Sequence, residues 1–176
     1  PEFLRLGNAV SLFMNQDYTI IGCDTKETFN ICYKIFNNFS KNIFRMAPIE
    51  AEIAKHIANV FVATSVSFIS EITKVADHMG IDLRPVSKAL RHDKRIGPKS
   101  YIYPGLGFTG GNLERDIKVI QSLLKKFGET SDFMDTIVSI NDHHNKIVHR
   151  QLEKIFKTFK GLNVAFLGIT YKSFTN

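Results

Sequence analysis

A long stretch of regularly spaced apolar residues dominates the hydrophobic pattern of this chain. Between residues 49 and 79 apolar side chains recur at helical spacing, and Gly80 follows as a stop signal. The pattern predicts a helix of about eight turns, roughly 45 Å long. Such a helix exceeds the width of a small domain, so we expect it to pack against a second copy of the chain. The apolar stripe consists of Ile49, Ile53, Ile57, Phe61, Phe68, Ile72, Val75 and Met79.

Shorter patterns predict the elements around this helix. Residues 17–23, DYTIIGC, predict a strand, and the helix expected at 24–40 has Asp24 and Glu27 at the spacing of a capping box. Three further helices are predicted from their start and stop signals. The first spans residues 82–90, with Pro85 in its first turn, and the second spans 113–127 and is closed by Gly128. The third spans 131–159, begins with Ser131 as its cap and ends near Gly161.

Residues 162–171, LNVAFLGITY, form an almost continuous apolar run of the kind found in buried parallel strands. A parallel strand needs neighbouring strands and a crossover helix, and the strand at 17–23 has the same requirement. We therefore expect a mainly helical centre flanked by truncated α/β pieces of a larger enzyme.

Composition narrows the class of protein. An apolar content of 44% in 176 residues suits one compact domain or two small ones. No contiguous apolar run approaches the roughly 20 residues that cross a bilayer, so we expect no membrane contact. Cys23 and Cys32 have no pairing signature, which is typical of reduced thiols in the cytoplasm.

The net charge of +6 suits nucleic acid, an acidic membrane surface or a phosphorylated small molecule. The basic residues are scattered, except for a cluster just before a glycine-rich loop, and no nucleic-acid-binding motif is present. A small anion near that loop is therefore favoured over nucleic acid. The cluster comprises Arg91, Lys94, Arg95 and Lys99.

The glycine-rich loop at 104–116, PGLGFTGGNLERD, contains the spacing Gly105-x-Gly107-x-x-Gly110. A dinucleotide fingerprint requires a strand directly before the first glycine, and Pro104 interrupts the short SYIYP segment there. No Gly-Lys-Ser/Thr follows, which excludes a phosphate-binding P-loop. Two interpretations remain: a backbone that closes over an anion at a helix N-terminus, or an ordinary glycine-rich helix entry.

Four stretches in order decide between these interpretations: PEFLRLG, AEIAKHIANVFVATSVSFISEI, RIGPK…PGLGFTGGNLERD and VAFLGITYK. Together they resemble the UDP-glucose/GDP-mannose dehydrogenase family. The resemblance implies the end of an NAD-binding α/β domain at 1–47, a helical dimerisation domain of the 6-phosphogluconate-dehydrogenase-like type at 48–160, and the first strand of a sugar-nucleotide-binding domain at 161–176. It also implies a cytoplasmic homodimer formed through the helix at 49–79.

The chemistry implied by this resemblance is oxidation of a hydroxyl of a UDP-sugar by NAD, which a domain outside this chain mainly binds. The family uses a cysteine nucleophile to reach the carboxylate, and Asn112 occupies its position. Asn112 is interpreted either as a hydrogen-bond donor to substrate or as the N-cap of the following helix. A non-catalytic homologue and a two-electron oxidoreductase therefore remain open, and these 176 residues alone are expected to be inactive.

The resemblance assigns catalytic roles to Glu2, Lys55, Asn59 and Asp116, besides Asn112. Lys55 and Asn59 lie four residues apart and share one face of the long helix; by pattern alone they would be a solvated face. Asp116 is expected to orient water or Lys55, or else to complement the helix dipole as a first-turn acid.

Further contacts follow from the resemblance. Arg95 and Lys172 would meet a sugar pyrophosphate, with ordinary surface charge as the alternative. His143, His144 and His149 do not align on one helical face, so we predict no metal site and a solvated or capping role. The implied substrate-binding residues are Phe3, Leu4, Arg95, Phe108, Gly110, Tyr171 and Lys172, and Arg115 is the implied cofactor contact.

Overall fold

The computed structural model describes residues 1–5 and 7–167. These residues are mainly helical, as the sequence predicts. They divide into two compact units: one holds residues 1–55 and the described residues from Gly161 onward, and the other holds residues 56–160. The described helices are α1 (Ala9–Met14), α2 (Lys26–Phe36), α3 (Pro48–Met79), α4 (Leu83–Leu90), α5 (Gly111–Lys126), α6 (Asp132–His144) and α7 (Ile147–Ile155), and the strands are β1 (Thr19–Gly22) and β2 (Ile43–Met46).

The first unit is built on a β-α-β arrangement. β1 and β2 pair in parallel, with α2 as the connection between them, and the register runs from Thr19 opposite Ile43 to Gly22 opposite Met46. β2 was not predicted, because four residues show no clear alternation. The strand at β1 is confirmed.

The N-terminus of α2 lies one residue later than the sequence suggested. Thr25 is the N-cap, and its hydroxyl accepts the backbone N–H of Thr28 at 3.1 Å. The predicted Asp24–Glu27 capping box is therefore wrong, because a helix capped at Thr25 has Thr28 as its third residue.

Gly22 lies where β1 meets the start of α3. A Cβ added there would be 2.7 Å from the Ala51 Cβ and 3.1 Å from the Pro48 Cα. We expect Gly22→Ala to lower the free energy of unfolding by about 1–3 kcal/mol, because backbone must move to admit the methyl group. Denaturant unfolding checks this against Gly111→Ala, where nothing lies within 4 Å of the added Cβ. Equal stability of the two variants would contradict the expectation.

Both ends of α3 have local caps. At its start the Glu50 carboxylate accepts the Ala47 N–H at 2.7 Å. At its end Gly80 adopts a φ of 66°, and the N–H of Ile81 bonds to the Ala76 carbonyl at 3.1 Å. This is the Schellman arrangement, so the predicted length and the glycine stop are confirmed.

Small side chains form the face of α3 that packs within the second unit. Ala63 is fully buried, and the buried Ser67 hydroxyl donates to the Ile137 carbonyl at 3.1 Å. By contrast, Phe61 and Phe68 of the apolar stripe are 70% and 56% exposed. The core of this unit consists of Val60, Ala63, Phe108, Ile117 and Ile137.

The single helix predicted at 131–159 is two helices, α6 and α7, because α6 ends with Asn145 as its C-cap. Ser131 is the N-cap residue of α6, as predicted, but its side chain makes no capping hydrogen bond: its hydroxyl donates to the Asp135 carboxylate at 2.9 Å. The break positions the end of α6 beside the glycine-rich loop.

Residues 162–167 of the predicted C-terminal strand are not in a strand. In the described part of the chain β1 and β2 pair only with each other, so this run has no neighbouring strand to supply its backbone hydrogen bonds. The remaining residues of the predicted strand, 168–171, lie outside the described residues.

Among the described residues one helix, α3, is long and apolar enough to span a membrane, judged by length and composition alone. The sequence-based expectation concerned contiguous apolar residues, and α3 contains no such run of about 20 residues. Ser and Thr interrupt the apolar run of α3 but lower its mean hydropathy little. Polar groups of α3 bond to neighbouring helices in the second unit, as in a helix packed within a protein.

Candidate active site

Asp116 is the centre of a polar cluster between α3 and α5 in the second unit. Its side chain is completely buried. Oδ2 accepts a hydrogen bond from Asn59 Nδ2, while Oδ1 lies 3.0 Å from His56 Nδ1 and 3.2 Å from Arg115 Nε. The alternative that Asp116 is a first-turn acid serving the helix dipole is wrong, because it lies in the second turn of α5 and points into the protein.

The cluster keeps Asp116 ionised. Burial by itself raises the pKa of Asp116, but hydrogen bonds from Asn59, His56 and Arg115, with the Arg115 charge, outweigh burial, and the pKa lies below the ordinary 3.8. An ionised carboxylate can only accept hydrogen bonds. The proton between His56 and Asp116 therefore belongs to His56 Nδ1.

Four of the predicted site residues that the structure describes lie in the first unit: Glu2, Phe3, Leu4 and Lys55. The Lys55 ammonium is 5.0 Å from the centre of the Phe3 ring, and that ring packs against Tyr18 with 4.9 Å between centres. The exposed Glu2 carboxylate accepts the N–H of Leu4 at 2.7 Å. Lys55 has no carboxylate partner in the part of the chain that the structure describes, and its contact there is the cation–π interaction with Phe3.

The glycine-rich loop is held by side chains of α6. Asn141 accepts the Phe108 N–H at 2.8 Å and donates to the Phe108 carbonyl at 2.9 Å, and His144 Nε2 donates to the Gly105 carbonyl at 2.8 Å. His144 is fully buried, so the expected solvated or capping role is wrong for this histidine. The contacts of Asn141 and His144 with the loop were not predicted, because each joins residues more than 30 positions apart.

The same packing against α6 explains why residue 107 is a glycine. Its φ is 88°, and an added Cβ would be 2.6 Å from the Asn141 amide oxygen and 2.8 Å from that of Asn145. At this position the backbone approaches α6, and the loop shape depends on that approach.

Replacing Asn141 with leucine tests the pair of hydrogen bonds between Asn141 and the Phe108 backbone. We expect a loss of about 2–4 kcal/mol in the free energy of unfolding, since the buried N–H and carbonyl of Phe108 would both lose their partner. Asp142→Leu, an exposed neighbour on α6, is the matched control and should change stability by less than about 0.5 kcal/mol. If denaturant unfolding shows that Asn141→Leu lowers the free energy of unfolding by less than about 1 kcal/mol, these hydrogen bonds do not hold the loop.

Asn112 is the second residue of α5, and its side chain is exposed. The N-cap is Gly110, whose φ of 87° suits glycine, so the N-cap interpretation of Asn112 is wrong. The helix begins earlier than the predicted Leu113 because the two glycines already turn the chain into it. The Asn112 amide remains available to a bound molecule.

The other predicted contacts are dispersed. The Arg95 guanidinium is largely exposed and pairs with Asp93 at 2.6 Å, whereas Phe108 is buried in the core of the second unit. Tyr171 and Lys172 lie outside the described residues.

The fold and the cluster define a long-helix central domain with a buried, ionised carboxylate. The chain is 32% identical to a UDP-glucose 6-dehydrogenase of Rickettsia bellii and 28% identical to the UDP-glucose 6-dehydrogenase TuaD of Bacillus subtilis, in both cases over its whole length. The solved structure of a UDP-glucose dehydrogenase from the hyperthermophilic archaeon Pyrobaculum islandicum matches 88% of this chain with a TM-score of 0.82 and 29% identity.

A sequence profile of the UDP-glucose/GDP-mannose dehydrogenase family, central domain, matches residues 49–143, more than half of the chain. The chain belongs to this family, as the sequence motifs indicated. It covers 41% and 38% of the Rickettsia and Bacillus relatives and 36% of the archaeal chain.

Proposed function

We propose that the whole protein containing this chain is an NAD-dependent oxidoreductase that oxidises a hydroxyl of a UDP-sugar or a related nucleotide sugar. The observation that carries the proposal is the hydrogen bond from Asn59 to the buried Asp116. These are two of the positions to which the family resemblance assigns catalysis, and they are 57 residues apart in sequence.

Within this proposal the residues of the chain bind and orient the sugar. Asn59 and Lys55 are donors that would stabilise negative charge developing on the reacting oxygen, and Asp116 fixes the Asn59 amide. Glu2 would exchange protons with the substrate, and the helix start at Gly110 would approach it by its backbone. Arg95 of a second copy, with Tyr171 and Lys172, would meet the pyrophosphate.

NAD supplies the hydride acceptor when it is bound. The contribution of this chain to NAD binding is proposed to be Arg115, whose guanidinium is 61% exposed beside an open groove of about 640 Å³ along α5. An exposed guanidinium fits the phosphate of a dinucleotide. These 176 residues alone are expected to form no NADH.

Asn112 limits the reaction to one hydride transfer in this proposal, since an amide cannot form the thioester needed for the second oxidation. We expect the whole protein to form one NADH per nucleotide sugar and to release a carbonyl product, as measured by NADH absorbance and mass spectrometry. The variant Asn112→Cys should raise the yield toward two NADH and give a carboxylate; Asn112→Ser, a polar residue without a thiol, is the control. No NADH with any of a broad set of nucleotide sugars would overturn the proposed function.

The exposed amide at the nucleophile position favours one alternative, a homologue that binds a nucleotide sugar without oxidising it. Isothermal titration with UDP-glucose in the absence of NADH formation distinguishes this alternative from the enzyme. The two unpaired thiols, Cys23 and Cys32, fit the proposed cytoplasmic location in either case.

We also propose a homodimer through the helix predicted at residues 49–79, now α3. Its stripe is exposed along the second unit, although side chains of this size are normally buried. The face of α3 that packs within the unit is a different one, which includes Val60, Ala63, Ser67 and Ile69. The exposed members of the stripe there are Ile57, Phe61, Phe68, Ile72, Val75 and Met79.

A further inference from the structure

His56 is the titratable group of the Asp116 cluster to which no sequence motif assigned a role. It follows Lys55 on α3, and its Nδ1 lies 3.0 Å from Asp116 Oδ1. Its side chain is 28% exposed, while that of Asp116 is completely buried. The imidazole thus connects a buried negative charge to the surface of the second unit.

The hydrogen bond fixes the tautomer of this ring. Because the Asp116 carboxylate is ionised and only accepts, His56 Nδ1 carries the hydrogen, and a neutral ring then has its lone pair on Nε2. No second hydrogen bond of the His56 ring is found among the described residues. The lone pair of Nε2 therefore accepts no hydrogen bond from the described residues and can act as a base.

Two other histidines lack this combination. His144 is buried, and its Nε2 already donates to the Gly105 carbonyl. The His149 side chain is 62% exposed, and its Nδ1 lies 3.4 Å from the carboxylate of Glu153, which is 55% exposed. Because both groups are solvated, this contact does not fix the orientation of the ring. His56 combines an orienting buried carboxylate with a partly exposed ring, which is the arrangement that makes an imidazole an effective proton acceptor.

We propose that His56, rather than Glu2, is the proton acceptor for the substrate hydroxyl, an inference that rests on the proposed function. The O–H bond breaks and its proton goes to Nε2; the electron pair of the adjacent C–H bond leaves as hydride to the oxidised nicotinamide; the C–O bond becomes a carbonyl. The imidazolium lies beside the Asp116 carboxylate, which stabilises its charge, and then releases the proton to water. With asparagine at position 112, a base and a hydride acceptor are sufficient for this single oxidation.

Nitrogen-15 NMR of the histidine-labelled whole protein tests the tautomer without any need for turnover. We expect His56 to be protonated on Nδ1 and to lose that preference in Asp116→Asn. Added UDP-glucose should shift the Nε2 signal of His56 and leave that of His149 unchanged. A hydrogen on Nε2 in the neutral ring would overturn the inference.

Two variants separate a base from a structural donor. His56→Asn places an amide N–H near the position of Nδ1, so it can still bond to Asp116 but cannot accept the proton; kcat should fall by about 10²–10⁴-fold with KM changed less than about threefold. His56→Ala should lose as much and regain at least about tenfold in kcat with added imidazole. His149→Asn is the matched control and should retain wild-type kcat.

Wild-type kcat in His56→Asn, or no recovery of His56→Ala by imidazole, would overturn the inference and leave the proposed function intact. If the wild type forms no NADH with any nucleotide sugar, the proposed function fails instead. The NMR experiment then still decides whether the ring has the tautomer and the sugar response of a proton acceptor.

Discussion

Replacing Asp116 with alanine is expected to lower the free energy of unfolding by about 3 kcal/mol, among the largest effects of any single substitution in this chain. The carboxylate accepts hydrogen bonds from Asn59, His56 and Arg115, and its removal leaves the partly buried donors of Asn59 and His56 without an acceptor. It also leaves a void between α3 and α5.

The matched control is Glu114→Ala, two residues away on the same helix. Glu114 is exposed and pairs with Lys118 across one turn, so its loss should cost less than about 0.5 kcal/mol. Guanidinium unfolding followed by circular dichroism measures both variants. A loss at Asp116 no larger than that at Glu114 would show that the cluster contributes little to stability.

The lowered pKa of Asp116 adds a pH signature to this comparison. A carboxyl whose pKa is lower in the folded than in the unfolded protein stabilises the fold above its unfolded pKa, and that contribution is lost as pH falls through the folded pKa. We therefore expect the stability difference between wild type and Asp116→Asn to be largest near neutral pH and to shrink below about pH 3.8. A constant difference between pH 7 and pH 3 would be inconsistent with an ionised Asp116.

Introducing charge into the exposed stripe of α3 is expected to abolish dimerisation. Phe61 and Phe68 are 70% and 56% exposed and lie two turns apart, so Phe61→Glu with Phe68→Glu would bring carboxylates together at an apolar interface. Analytical ultracentrifugation of the whole protein should show a dimer for the wild type and a monomer for the double variant, with the dimer dissociation constant raised at least about 10³-fold.

The control for this experiment is Ile31→Glu on α2, an apolar residue that is 63% exposed but lies outside the stripe. This variant should remain a dimer, and all variants should keep the wild-type circular dichroism spectrum. A double variant that still dimerises, or a monomeric wild type at micromolar concentration, would refute an interface through α3.

Much of the fold follows from local signals. The period of apolar residues and Gly80 gave α3 almost to the residue, and Asp82 caps α4 as its sequence allows. Errors arose where tertiary contacts decide: Asn145 ends α6 in the middle of a helical pattern, and β2 exists only because β1 pairs with it. Six-residue α1 has too little pattern to be recognised.

The candidate site was only partly predictable for a related reason. Lys55, Asn59 and Asp116 were proposed from the family motifs, and the structure brings Asn59 and Asp116 into contact. His56 was not identified from the sequence, because its partner Asp116 is 60 residues away. A single histidine on a helix does not indicate a function unless that partner is known. The N-cap assigned to Asn112 failed since Gly110, two residues earlier, supplies the backbone turn that starts α5.

The close approach of Gly107 to α6 decides where this loop can be redesigned. Any side chain at 107 would collide with two amide oxygens, so a mutant library of this loop would lose folded protein at that position. Leu106 and Thr109, which flank that pivot, are exposed and can be diversified freely. Directed evolution of the loop should therefore accumulate its changes on either side of a fixed glycine.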